Sequence, residues 1–110
     1  MSEAQASLQR IIEAAPMAIT LRDAHTLKIL QVNQVAARNA GGTPQQLVGM
    51  TPEQLFEAPI AAQRRADMER ALASRELTQH EYRVEANGAV QVWDARYLPL
   101  STVPGQPPNQ

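Results

Sequence analysis

The apolar residues at the start of the chain are spaced as on one face of a helix. They are Leu8, Ile11, Ile12 and Ala15. This spacing of three and four residues predicts an amphipathic helix over 1–15, with Ser2 as its cap. Pro16 ends it, because the residue before a proline is driven out of the helical conformation. Such a stripe either docks the helix on its own domain or joins two copies of the chain, and both interpretations stay open.

Apolar and polar residues alternate after Pro16, a pattern that is typical of half-buried strands. Strands are predicted over 17–22 and 27–32, and the short link between them indicates a hairpin. In the first strand Leu21 is expected to face the core, whereas Arg22 is expected to face away from it.

Helical spacing returns in the middle of the chain. Asn33 is suited to cap a helix over 34–39. Two Thr-Pro-Xaa-Gln-Leu segments, 43–47 and 51–55, each carry a capping threonine, a proline at the first helical position and a glutamine that can close a capping box. A longer helix is predicted over 59–75. The apolar anchors of these helices are Leu47, Leu55, Phe56, Met68 and Leu72.

Two long strands, 77–86 and 89–100, flank the Asn87-Gly88 pair, a strong signal of a two-residue hairpin turn. This turn pairs Ala86 with Ala89 and thereby fixes the register of the remaining residues. The pairs that share one face are then Val84–Gln91, Tyr82–Trp93, His80–Ala95 and Thr78–Tyr97. Three of the chain's four aromatic residues lie on that face. We therefore expect it to face the core, with Trp93 buried beneath the long helix.

The composition excludes several classes of protein. A net charge of −1 with 19% charged residues leaves no basic surface for nucleic acid or an anionic membrane. No apolar run reaches the roughly 18 residues of a membrane span, and the polar start is not a secretory signal, so a cytoplasmic domain is expected. The absence of cysteine rules out disulfides, thiolate metal sites and a cysteine nucleophile.

The chemically active side chains form no catalytic arrangement. His25 is expected to be exposed in a turn, and His80 is either a hydrogen-bonded core histidine or a ligand contact. Two histidines without suitably spaced carboxylates make no metal site. Glu81 and Asp94 lie nearly opposite each other on the outer face of the sheet, where they balance nearby arginines rather than act as an acid/base pair. We therefore expect no enzyme.

The order of helix, hairpin, short helices, long helix and hairpin resembles that of PAS sensory domains. The matching stretches are Ile12-Glu-Ala-Ala-Pro16, Ile29-Leu-Gln-Val-Asn33-Gln-Val-Ala-Ala37, Gly42-Thr-Pro-Gln-Gln-Leu-Val-Gly49, Glu81-Tyr-Arg-Val84, Asn87-Gly88, Trp93 and Pro99-Leu100. Their joint order and spacing over residues 8–100 carry the resemblance. In many relatives a tryptophan is the fourth residue after the turn glycine and faces outward, whereas Trp93 is the fifth and should face inward.

The resemblance implies an α+β fold with a five-stranded antiparallel sheet of order 2-1-5-4-3, helices on one face and a small pocket between them. Four strands are readable, and the fifth, which is central, would follow the 101–110 loop, where the sequence ends. We therefore expect an N-terminal amphipathic helix over 1–15, a PAS-like domain over 16–100 that lacks its last strand, and a loop or linker over 101–110. The first and fourth strands would then keep unpaired edges.

The resemblance also bears on cofactors. The flavin-photoadduct branch of the family needs a cysteine, and the haem branch takes a histidine from the long helix. This chain has no cysteine, and no histidine lies between Pro59 and Glu76. Both cofactors are therefore argued against. A non-covalently bound flavin stays open, although no cofactor is expected.

The function that the resemblance implies is that of a sensor or regulatory module in signal transduction. The full protein would be a histidine kinase of a two-component system, a transcription regulator or a cyclic-dinucleotide enzyme, and the domain would pass a signal to its output domain. The expected ligand is a small neutral or weakly polar molecule. The expected pocket residues are Tyr82, Trp93, Tyr97, His80, Phe56, Met68, Leu72 and Leu21.

The expected partners are a ligand and a second copy of the chain. The interface of this homodimer would hold Leu8, Ile11 and Ile12. No charged residue has an evident inward position except Arg65, which could reach in from the long helix and would then favour a carboxylate. A polyanionic ligand such as a nucleotide is not expected. The alternatives are a ligand-free dimerisation module and, more remotely, a small α+β enzyme with a cone-shaped sheet.

Overall fold

The computed structural model of the chain describes residues 3–86, 88–100 and 108–110. In chain order, its elements are α1 (Glu3–Ala14), β1 (Thr20–Arg22), β2 (Ile29–Val32), α2 (Gln34–Asn39), α3 (Pro44–Leu47), α4 (Pro52–Leu55), α5 (Ala58–Ser74), β3 (Thr78–Ala86) and β4 (Ala89–Tyr97). This is the predicted order of elements, with ends that differ by a few residues. Three predicted features, the Ser2 cap, the turn residue Asn87 and residues 101–107 of the loop, lie outside the described residues.

The short helices begin as their sequences predict. In α3, the Thr43 hydroxyl accepts a hydrogen bond from the backbone N–H of Gln46 at 3.3 Å, and Gln46 Oε1 accepts one from the Thr43 N–H at 3.0 Å. In α4, Gln54 Oε1 accepts from the Thr51 N–H at 2.9 Å. These bonds satisfy backbone donors that a helix start would otherwise leave without partners.

The first hairpin is shorter than predicted, since β1 begins only at Thr20 and the turn that follows it is longer. Asp23 Oδ1 accepts hydrogen bonds from the backbone N–H groups of His25 and Thr26 at 2.8 and 2.9 Å, which holds the chain in a turn. Leu27, with a φ of 60°, then adopts the left-handed conformation and is only 3% exposed. A strand cannot run through such a residue, so β2 begins at Ile29 instead of Leu27.

The last hairpin has the predicted register. Tyr82 pairs with Trp93, Thr78 with Tyr97 and Ala86 with Ala89. Tyr82 is 4% exposed, as expected of a residue on the inner face, but the prediction that Trp93 is buried is wrong, because it is 38% exposed. Within the described part of the chain, β4 is hydrogen-bonded to β3 alone. A side chain of β4 therefore has a neighbouring strand on one side only, which leaves Trp93 partly exposed.

The α+β architecture with antiparallel pairing is as expected, whereas a single sheet holding both hairpins is not formed by the described strands. β1 pairs with β2, and β3 with β4, in two separate two-stranded sheets. Asn109 links the two hairpins. Its carbonyl accepts from the Ala24 N–H at 3.0 Å, and its N–H donates to the Leu100 carbonyl at 2.9 Å. This link lies between the hairpins, where the resemblance places the fifth strand.

A compact apolar cluster holds the first hairpin against the short helices. Its buried members are Ile29, Val32, Ala36, Ala37 and Leu47. Helix α5 contributes a second buried stripe through Ala61, Met68 and Ala71. The inner side of the last hairpin is therefore covered by a helix whose buried positions are mostly small.

Helix α1 docks on its own domain through one side of its stripe. Ile12 is 2% exposed, and Gln31 Nε2 donates to the Gln9 carbonyl at 3.0 Å. Leu8 is half-buried and Ile11 is 63% exposed. Ile12 is thus buried against its own domain, whereas Ile11 is the exposed member of the predicted interface. Neither α1 nor any other helix in the described ranges has the length and apolar character needed to cross a membrane.

Candidate functional site

A buried polar cluster lies between α5 and the last hairpin. Its centre is the Tyr82 hydroxyl, which donates to Asp67 Oδ2 at 2.8 Å and lies 2.9 Å from the Tyr97 hydroxyl. The Tyr82 hydroxyl uses its hydrogen in the bond to Asp67. It therefore accepts the hydrogen bond that the Tyr97 hydroxyl donates. Arg70, mostly exposed, binds the other oxygen of Asp67. A chain of hydrogen bonds therefore leads from the β4 side of the cluster through a buried carboxylate to the surface of α5.

The expectation that no charged residue apart from Arg65 reaches the interior is wrong. Asp67 is only 5% exposed. Charged residues of both signs lie two and three positions away on either side, and a mixed-sign group of this kind is usually a solvated face. The signal that identifies it is its helical position, because Asp67 is four residues before the buried Ala71 and therefore shares its face. The carboxylate is stabilised by its partners, since a buried charge requires compensation.

The cluster changes the acidity of its central hydroxyl. Burial raises the pKa of Tyr82 well above its usual range, and the hydrogen bonds with Tyr97 and Asp67 add to this effect. Next to a carboxylate, the ionised phenol is disfavoured because a second negative charge would be placed in the same buried site. Tyr82 therefore remains a neutral donor at physiological pH.

A second cation, Arg64, lies against the central ring of this cluster. Its guanidinium carbon lies 3.5 Å from the centroid of the Tyr82 ring and 5.1 Å from that of Phe56. Its Nε atom is buried and has no hydrogen-bond partner. Among the described residues, no carboxylate forms an ion pair with Arg64. Contact with two aromatic faces holds the cation in place through cation–π attraction.

Arg65, the cation expected to reach inward, points elsewhere. Its Nε and Nη2 atoms donate to the two carboxylate oxygens of Glu53 at 2.8 and 2.5 Å, and its Nη1 lies 3.5 Å from Glu69 Oε1. Hydrogen bonding to Glu53 raises the pKa of Arg65. The two adjacent arginines diverge because successive helical residues are about 100° apart around the axis. Arg65 consequently connects α5 to α4, whereas Arg64 packs against the ring of Tyr82 in the cluster.

Arg22 lies near the cluster from the other hairpin, contrary to the prediction that it faces away from the core. The pairing of β1 with β2 shifts register between Leu21 and Arg22, and such an irregularity interrupts the alternation of faces. Arg22 Nη1 donates to the Leu27 carbonyl at 2.9 Å. Burial lowers the pKa of Arg22. The side chain is half-buried, and the charges of Arg65 and Glu53 also act on it.

His80 borders the same cluster, whereas His25 is exposed in its turn as expected. His80 Nδ1 is 3.8 Å from Asp67 Oδ2. Its ring lies 6.0 Å from that of Tyr82, nearly parallel, and 5.5 Å from that of Tyr97. Its Nε2 atom is buried and has no hydrogen-bond partner. His80 therefore has a free polar atom available for a further contact.

The predicted pocket residues are brought together only in part. Tyr82, Tyr97 and His80 form the cluster, and Phe56 joins it through Arg64. The other four are distributed around it: Met68 is buried on α5, Leu72 and Leu21 are half-buried, and Trp93 is exposed. Sequence reasoning missed Arg22, Arg64 and Asp67.

A separate open groove of about 380 Å³ lies outside the cluster, between α4 and α5. It is lined by Glu53, Ala58, Ala62, Arg65, Ala66 and Glu69. Its polar groups are already paired with one another by the Glu53–Arg65–Glu69 contacts. The groove therefore offers little to a polar ligand, and the buried cluster is the better candidate site.

Comparisons with solved structures show the same fold. The Rhodobacter sphaeroides LOV protein superposes with a TM-score of 0.75 at 23% identity, over 97% of this chain and 63% of that one. The PAS domain of Bordetella pertussis BvgS gives 0.79 at 17% identity, over 96% and 79%. A domain of an HTR-like protein from Haloarcula marismortui gives 0.67 at 23% identity, over 86% and 90%. The chain thus spans 63% of the length of the LOV protein.

Comparisons of sequence identify the family. A search of curated protein sequences gives no match. The family model described as PAS fold matches residues 12–109, nearly the whole chain. This match includes every strand and the long helix that carries the cluster. The chain therefore belongs to the PAS family.

Proposed function

We propose that this PAS domain is a sensory module of a signalling protein, which binds a small polar molecule between α5 and the β3–β4 hairpin. The supporting observation is the pair of buried polar atoms without partners, Arg64 Nε and His80 Nε2, at the edge of the cluster. Leaving a buried polar atom unpaired costs about 1–3 kcal/mol. A ligand that supplies the missing partners recovers that free energy and is thereby bound.

The cluster also offers a route for the signal. A ligand that contacts Tyr82 or Arg64 changes the surroundings of Asp67, whose other oxygen binds the exposed Arg70. A ligand shifts a conformational equilibrium only by its different affinity for the two states, typically 1–3 kcal/mol. Loss or gain of one charge-assisted hydrogen bond is of this size. The output domain that receives the signal is part of this proposal.

We expect no flavin in this site. The isoalloxazine ring system needs a wide apolar slot, whereas the space over Tyr82 is filled by Arg64, whose guanidinium carbon is 3.5 Å from the ring centroid. Asp67 adds a buried negative charge on the same side. Bringing a flat, three-ring cofactor to this position would require both side chains to move.

The proposal is tested by thermal unfolding of the chain with a panel of small alcohols, aromatic compounds and short carboxylates. A ligand at 100 times its Kd stabilises the folded state by about 2.7 kcal/mol, which raises Tm measurably in a domain of this size. We expect at least one class of compound to raise Tm in a saturable way. In Tyr82→Phe, half of the maximal rise should require an at least tenfold higher concentration of that compound. Arg83→Gln, which changes the neighbouring residue on the outer face, is the control. A panel without any shift would contradict the proposal.

A second candidate function, a ligand-free dimerisation module, is favoured by one observation. Ile11 is 63% exposed in α1, next to the buried Ile12. Ile11 continues the apolar stripe of α1 that Leu8 and Ile12 form, and an interface between two copies of the chain would cover it.

We expect the chain to sediment as a dimer at high micromolar concentration and Ile11→Glu to sediment as a monomer, because a charge cannot be buried in an apolar interface without compensation. Glu13→Gln, another exposed position of α1, should leave the dimer intact. A wild-type chain that sediments as a monomer would exclude this function.

A further inference from the structure

We infer that the small molecule held by this site carries a carboxylate, and that Arg64 is the residue that binds it. This inference rests on the proposed function and names its ligand class. It differs from the expectation of a neutral or weakly polar ligand, in which Arg65 was the one cation that could reach inward. Arg65 is paired with Glu53, whereas Arg64 lies against the Tyr82 ring.

Arg64 differs from the neighbouring arginines of α5 in having no carboxylate. Arg65 is paired with Glu53 and Glu69, and Arg70 with Asp67. Within the described residues, the charge of Arg64 is met only by the rings of Tyr82 and Phe56. Cation–π attraction of this kind contributes about 0.5–2 kcal/mol, less than the cost of removing a cation from water. An anion in the site would compensate that cost.

The geometry of the guanidinium indicates which anion fits. Stacking on Tyr82 occupies the flat face of the group, whereas its N–H donors point outward in its own plane. Nε is buried without an acceptor, and Nε shares one edge of the guanidinium with a terminal nitrogen. Two parallel donors on one edge match the two oxygens of a carboxylate. An amide offers only one acceptor in the same space.

The surrounding charges favour an anion over a neutral ligand. The negative charge of Asp67 is already compensated by Arg70 and by the Tyr82 hydroxyl. Arg22 adds a second half-buried cation, whose described hydrogen bond is to a neutral carbonyl and whose charge is partly met by that of Glu53. Arg64 is therefore the inward arginine with which no described carboxylate forms an ion pair. Nε2 of His80 is a further polar atom without a partner, and it can donate to a bound carboxylate when it carries the imidazole proton.

The test compares carboxylates with amides of the same shape. Acetate, butyrate and benzoate are titrated against acetamide, butyramide and benzamide at constant ionic strength, with binding followed by thermal unfolding and by NMR of the whole chain. We expect at least one carboxylate to bind at least tenfold more tightly than its amide. The arginine Nε–Hε signal of Arg64, assigned by its absence in Arg64→Lys, should shift during the titration.

Three variants locate the contact. Arg64→Gln should abolish the preference for carboxylates, and Arg64→Lys, which keeps the charge but lacks the paired donors, should weaken binding about tenfold. Arg83→Gln removes an exposed arginine from the opposite face of β3 and should bind as the wild type does.

The outcomes separate this inference from the proposed function. Amides or alcohols that bind as tightly as carboxylates would overturn the carboxylate assignment and leave a small-molecule sensor. Carboxylate binding that survives in Arg64→Gln, or an unmoved Arg64 signal during saturable binding, would overturn the role of Arg64. A panel in which neither carboxylates, amides nor alcohols bind would overturn both the inference and the proposed function.

Discussion

Replacing Asn33 by alanine should lower the free energy of unfolding by about 4 kcal/mol, because several buried backbone groups lose their partners together. Asn33 is 2% exposed. Its Oδ1 accepts from the N–H groups of Ile19 and Ala36 at 3.2 and 3.0 Å. Its Nδ2 donates to the carbonyls of Ile12 and Met17 at 3.1 and 2.7 Å. One side chain therefore joins the end of α1, the start of β1 and the start of α2.

Urea unfolding of the variant and of Asn39→Ala checks this prediction. Asn39 is an exposed residue of α2, the helix that Asn33 caps, and it controls for the change in composition. Asn39→Ala should therefore lower the free energy of unfolding by less than about 0.5 kcal/mol.

Asn33→Asp provides a second check of the role of Asn33. Its ionised carboxylate would face two carbonyl oxygens, whereas the protonated acid can donate to one of them, so this variant should become relatively more stable as the pH falls. A cost below about 1 kcal/mol for Asn33→Ala would contradict the role of this residue.

Truncation of Tyr82 should cost far more than truncation of its cross-strand neighbour Trp93. Tyr82→Ala removes a side chain that is 4% exposed and leaves Asp67 without a buried donor, so we expect a loss of about 4 kcal/mol. Trp93 is the larger residue, but it is 38% exposed, so Trp93→Ala should cost about 1–2 kcal/mol.

Tyr82→Phe separates the two contributions to this loss. It keeps the ring under Arg64 and removes only the hydroxyl, and hydrogen bonds to charged groups are worth about 1.5–3 kcal/mol. The three variants should therefore fall in the order Tyr82→Ala, Tyr82→Phe, Trp93→Ala, as measured by chemical unfolding. If Trp93→Ala proved the most destabilising of the three, this would contradict the exposed position of Trp93.

The sequence by itself determined the elements whose cause is local. Asn87-Gly88 fixes the register of the last hairpin, because a two-residue turn leaves only one pairing for all residues beyond it. The caps of α3 and of α2 likewise depend on residues within three positions of each other. The order of these elements was sufficient for the resemblance to the PAS family, which the family comparison confirms.

The tertiary structure decided which side chains are buried and with what partners. Trp93 lies on the predicted face of β4, but its exposure depends on which elements pack beside that strand. Asn33 was identifiable as a helix cap, whereas its bonds to Ile12 and Met17 depend on how α1 returns to the domain.

The candidate site depended most strongly on such long-range packing. Arg64 and Arg65 are adjacent in a run of charges, and no local feature distinguishes them. The orientation of α5 relative to β3 and α4 places Arg64 against the ring of Tyr82 and Arg65 against the carboxylate of Glu53. Asp67 is buried because Tyr82 approaches it from a strand 15 residues later in the chain. Spacing along the chain determines a residue's face, but the charge and hydrogen-bonding groups that meet this face come from distant segments.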